Sequence, residues 1–219
     1  MKKMQNQIFF YTFSWFTILC SNSYYAQQKQ INIFFDKEKN KTYKTCINEL
    51  DNNEDYDYVK SIGDTVTMNV FKMNCRAVAE NYDIYKKNSL KLIEQNFSNK
   101  DFIVINVILK SIYRPNPTLT VMKFKNAKDY NALHYTYGFD DISKKSYRIT
   151  DSTIATDNIE KKFQLLEDYF YNKKMKDRIF ENFKDAQKYY KDFSVYYIVA
   201  KISGKIITKK IYFADDFNH

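Results

Sequence analysis

Residues 194–214 read SVYYIVAKISGKIITKKIYFA. Two runs rich in Val, Ile and Tyr flank Ser203-Gly204, a two-residue turn with Gly where a positive φ is needed, which predicts a β-hairpin. In that register Tyr196, Ile198, Ala200 and Ile202 share a face with Ile207, Ile211 and Phe213. An apolar face of this size needs helices to cover it, while the hairpin lysines reach for water.

The helices lie upstream. Asp157, with Glu160 three residues on, reads as a capping-box variant, and Ile159, Phe163, Leu166 and Phe170 follow on one side. After Asn172-Lys173-Lys174 a second helix is predicted to carry Met175, Ile179, Phe183, Ala186 and Tyr190. A longer helix is predicted over about 68–97, where Phe71, Cys75, Val78, Tyr82 and Tyr85 recur at spacings of four and three, with a break near Asn88-Ser89.

Phe102–Leu109 (FIVINVIL) is the apolar run of a strand covered on both faces, and Thr118–Lys125 (TLTVMKFK) alternates as a second. Further strands are predicted at Leu133–Phe139 and Ser146–Thr150, and near the start a hairpin joins Gln30–Phe35 (QINIFF) to Thr42–Ile47 (TYKTCI) through the polar turn Asp36–Lys41. An acidic loop then leads through Tyr58–Ile62 to Gly63. Segregated strands and helices of this order predict an α+β fold: a mainly antiparallel sheet packed against a long central helix and a C-terminal helix pair, ending in a β-hairpin. No repeat or linker divides residues 27–219, which read as one domain.

Residues 1–26 read as an export signal. Lys2 and Lys3 precede the 12-residue apolar run Ile8–Leu19, and polar Cys20-Ser21-Asn22-Ser23 follows at once. A membrane span needs about 20 apolar residues, so the run is too short to cross. Cleavage is expected after Ser23 or Ala26. Leu19 disfavours lipidation of Cys20, since the residue before a lipidated Cys has to be small.

The chain has 219 residues and a formal net charge of +9. Its surplus of Lys, with 20 Tyr, 18 Phe, 3 Gly and 2 Pro, is the mix an AT-rich genome encodes, so the charge does not by itself indicate nucleic acid. Beyond the signal only Cys46 and Cys75 remain, and an isolated pair in an oxidising compartment predicts a disulfide.

Motifs for chemistry are scarce. Gly63, Gly138 and Gly204 are too dispersed for a phosphate loop or a nucleophile elbow. His134 has no neighbouring partner for a zinc site, and His219 is the last residue. A Cys-His pair between His134 and either cysteine competes with the disulfide. Asp51, Asn53, Asp55 and Asp57 alternate like the start of a calcium loop, but Tyr56 stands where the sharp turn needs Gly and Ile62 where a bidentate Glu belongs. They form a weak Ca²⁺ candidate beside the reading as a solvated loop. Asp140-Asp141 and Asp215-Asp216 read as loop ends rather than a hydrolytic pair. Exposed tyrosines offer a weak platform for carbohydrate or peptide.

No catalytic residues, cofactor or metal are assigned. The functional expectation is an exported, non-catalytic binding or structural module of the bacterial envelope, periplasm or exterior, with ligand unknown. The alternative is an exported hydrolase whose carboxylates are assembled by the fold. Lys201, Lys205, Lys209 and Lys210 are a candidate surface for an anionic partner, an acidic protein, a glycan or a membrane surface, and not nucleic acid, beside the favoured reading as strand-edge charges that discourage sheet-to-sheet aggregation.

Overall fold

The computed structural model describes residues 2–96, 98–108, 118–136, 145–148, 156–172, 179–189 and 193–214. Three helices, α1 (Lys2–Leu50), α2 (Glu54–Ser61) and α3 (Thr65–Gln95), precede strands β1 (Phe102–Ile108), β2 (Thr118–Phe124), β3 (Tyr130–Thr136) and β4 (Lys145–Arg148). Helix α4 (Thr156–Tyr171), the two-residue β5 (Ile179–Phe180) and α5 (Phe183–Tyr189) lead into β6 (Phe193–Ile202) and β7 (Lys205–Ala214). The fold is α+β, with one antiparallel sheet ordered β4-β3-β2-β1-β6-β7-β5.

The terminal hairpin forms in the predicted register, with Ile202 opposite Lys205 and Ala200 opposite Ile207. Its turn places both central residues at positive φ, 51° at Ser203 and 81° at Gly204. A side chain at Gly204 meets open space but not an easy backbone, so Gly204→Ala is expected to cost about 1 kcal/mol, read as a fall of roughly 3 °C in Tm.

Both faces of the sheet are covered. Ile103, Ile105, Tyr196, Ile198, Ile211 and Phe213 pack against Ile159, Phe163 and Leu166 of α4. On the other face Val104, Met122, Tyr197 and Val199 pack against Ile31 and Phe35 of α1 and Tyr82, Tyr85 and Leu92 of α3.

The expected hairpin of residues 30–47 is corrected: these residues are helical. Ile31 and Phe35 lie one turn apart and are fully buried against α3 and the sheet, so tertiary burial overrides the β-branched character of QINIFF. The supposed turn at 36–41 is continuous helix within α1. There Asp36 meets Lys86 and Lys39 meets Asp83, each at 2.6 Å, fixing α1 antiparallel to α3.

Smaller corrections follow. The loop read through 49–62 contains α2, capped by Asn53, whose side chain accepts the Tyr56 amide at 2.9 Å. Helix α3 runs unbroken through Asn88-Ser89, and Val78 is 47 % exposed while Ala79 takes the buried place. Ile179-Phe180 is a bridge along β7 rather than helix, leaving α5 to begin at Phe183. Helix α4 begins at Thr156, so Asp157 lies within its first turn rather than at its cap.

Candidate functional site

A polar row crosses the middle of the sheet beneath α1 and α3. Lys210 of β7 pairs in register with Tyr197 of β6, Tyr197 with Asn106 of β1, and Asn106 with Thr120 of β2. Strand neighbours in register share a face, so one residue from each of four strands points at the helices.

Asn106 is the hub of this row and is fully buried. Its Nδ2 donates to Ser89 Oγ at 3.0 Å and to the Tyr197 carbonyl at 3.1 Å. Its Oδ1 accepts from Thr120 Oγ1 at 2.8 Å and Ser89 Oγ at 3.2 Å. Alongside, the hydroxyls of Tyr82 and Tyr197 lie 2.5 Å apart, and Thr42 Oγ1 of α1 donates to Tyr82 OH at 2.8 Å. Tyr85 stacks on Tyr197 with ring centroids 5.7 Å apart.

Burial, then the neighbouring Tyr82, holds the Tyr197 phenol well above its ordinary value, and burial does the same at Tyr85. Both stay protonated at any biological pH, so the row offers hydrogen bonds but no base. At its outer end Glu38 Oε2 faces Lys210 Nζ at 3.8 Å, an ion pair without a hydrogen bond. Glu38 is the one buried carboxylate among the described residues. The hydroxyl of Tyr85, Asn81 Oδ1 and Asn88 Nδ2 are buried without a hydrogen-bond partner among the described residues, and ordered water is the usual partner for such groups.

A cavity of about 350 Å³ opens between the last turn of α3 and β3. Lys91, Gln95, Asn96 and Asn131 supply its polar wall, over Leu92 and Leu133. Asn131 Nδ2 donates to Asn96 Oδ1 at 3.2 Å, and Asn96 Nδ2 to the Leu92 carbonyl at 2.8 Å, so the amides are held in place. Its volume is at the lower end for small-molecule sites. Lys91 is the one ionisable group among its lining residues.

The residues singled out from sequence distribute as follows. Cys46 and Cys75 form a disulfide joining α1 to α3, with Cα atoms 5.6 Å apart, so neither sulfur is available to His134 as a nucleophile. His134 lies on β3 opposite Leu119 and Tyr147. Asp51, Asp55 and Asp57 are exposed, Asn53 is spent on capping, and no metal-ligating cluster forms among the described residues. Acids in the first turn of α2 complement its dipole instead.

The four hairpin lysines divide between both faces of the sheet. Lys201 and Lys210 lie on the side of α1 and α3, where Lys201 donates to the Ser98 carbonyl at 3.1 Å. Lys209 is on the opposite side, donating to Glu181 at 2.6 Å and Tyr169 OH at 2.8 Å, while Lys205 is exposed beside the turn. Asp140-Asp141, Asp215-Asp216, Gly138 and His219 lie outside the described residues.

Comparison with known protein families, curated proteins and solved structures found no match.

Proposed function

We propose that this protein is exported and works as a non-catalytic binding or structural module of the bacterial envelope or exterior. The Cys46–Cys75 bond carries the reading, because a structural disulfide persists in oxidising compartments and is rare in the reducing cytosol. Two further features support it. Ile31 is the first buried residue of the chain from Tyr25 onward, so cleavage after Ser23 or Ala26 removes none of the described core contacts. Also, among the described residues no helix is long and apolar enough to cross a membrane. The cleft beside α3, walled by amides and one ammonium, is the place where a small polar ligand is expected.

Intact-mass and N-terminal mass spectrometry of the protein from its native cells tests this. The expected species begins at Tyr24 or Gln27 and gains two hydrogens only on reduction. Recovery of an uncut chain starting at Met1 with all three cysteines as free thiols overturns the proposal.

A further inference from the structure

Lys91 differs from every other lysine that is half-buried or buried among the described residues. Lys39, Lys86, Lys123, Lys209 and Lys210 each face a carboxylate, at 2.6 to 3.8 Å. Lys201 donates to the Ser98 carbonyl, and Lys162 to the Tyr196 hydroxyl. Lys91 is half-buried with no ion pair or hydrogen bond among the described residues, and Glu94, three residues on, is exposed and does not pair with it. Packing of a lysine stem is ordinary. What is specific to Lys91 is that it lines a cleft holding three amides and no acid.

The amides are held but not exhausted. Asn96 and Asn131 each spend one Nδ2 hydrogen, leaving the second hydrogens and Asn131 Oδ1 for a ligand. Gln95 makes no hydrogen bond among the described residues. Leu92 and Leu133 give the cleft an apolar floor.

Taking this cleft as the polar-ligand site of the proposed module, we propose that its ligand is a sugar acid, with the carboxylate on Lys91 and the hydroxyls on the amides. Lys91 and Gln95 stand one turn apart on α3, about 6 Å along its axis, the span from the carboxylate of a uronate ring to its far hydroxyls. The ring's C–H face then lies on the two leucines. Neutral hydroxyls, rather than the charge, approach the carbonyl end of α3, where an anion is disfavoured.

Other ligand classes match less of the wall. An amino acid brings an ammonium, for which no lining residue supplies a carboxylate. A phosphate favours arginine forks, backbone amides or a helix N-terminus, whereas this cleft lies at the C-terminal end of α3. A fatty acid leaves the amides against hydrocarbon.

Titration of the oxidised, isotope-labelled protein with D-glucuronate and D-galacturonate, followed by amide NMR, tests the proposal, with D-glucose, acetate and inorganic phosphate as controls. At least one uronate is expected to saturate with a Kd on the order of 1 mM, shifting the side-chain amides of Asn96 and Asn131, and each control to bind at least about tenfold more weakly. Lys91→Gln is expected to weaken uronate about tenfold or more and leave glucose unchanged, with the cystine and Tm retained. Gln95→Ala, at an exposed position, is expected to weaken uronate about threefold and repeats the test should the first variant misfold. Failure of both uronates to bind, or binding indifferent to both substitutions, overturns the proposal. Phosphate or glucose binding in preference to uronate also overturns it, while leaving the cleft a ligand site. None of these outcomes bears on cleavage or on the thiols, so export is decided separately by the mass of the native chain.

Discussion

Asn106→Leu is expected to destabilise the protein by about 4 kcal/mol, a fall in Tm on the order of 10 °C. The substitution is close in volume, so packing changes little. What it removes is the partner of three buried groups: Ser89 Oγ, Thr120 Oγ1 and the Tyr197 carbonyl all lose a hydrogen bond at a site without water access. Each orphaned buried group costs about 1–3 kcal/mol, more than a typical hydrogen bond contributes when it forms.

The comparison that isolates this cause is Ser89→Ala/Asn106→Leu/Thr120→Val. Replacing all three side chains by apolar groups removes the hydroxyls along with the amide, and less than about 2 kcal/mol should be lost. Three substitutions should therefore harm the protein less than one. Chemical denaturation of the two variants decides it, and a triple variant worse than the single one sinks the network account.

The second large effect concerns the cystine. Cys46→Ala/Cys75→Ala, or reduction of the wild type, is expected to cost about 3.5 kcal/mol, since the bond closes a loop with a sequence separation of 29 residues. The loss should be uneven. Cys75 anchors a satellite cluster with Leu50 and Tyr56, away from the sheet, so hydrogen exchange in α2 and in residues 43–50 should quicken first. The amides of β1 and β6 should change only with global stability. Equal loss of protection in the sheet and in α2 contradicts this division.

The hairpin, β1, β2 and most of α3 and α4 were legible because periodicity and turn chemistry agreed there. Helix α1 was not, although Ile31, Phe35, Glu38, Thr42 and Cys46 recur at helical spacings. Interleaved Ile33, Phe34 and Tyr43 also satisfied a two-residue alternation, and only the presence of α3 as a partner decides between the periods. β5 escaped because a two-residue bridge has no period at all. The polar row left one trace, Asn106 as the single polar residue of FIVINVIL, with Thr120 in the next strand to answer it. Recognising the pair requires the strand register, which local sequence does not contain. Gln95, Asn96 and Asn131 left none, being ordinary amides until α3 and β3 are brought side by side.

The order in which the strands join has a consequence for synthesis. β1 is flanked by β2 and by β6, so Phe102 waits for Lys201, and α1, which ends at Leu50, lies against β7, which begins only at Lys205. The β2 side of the central strand can pair as soon as Phe124 is made, but its other side waits for β6, and closing so long a loop is slow. An emerging polypeptide of this design lacks its central β1–β6 ladder until the final hairpin is made, and so stays closer to the loose state that a secretion pore accepts.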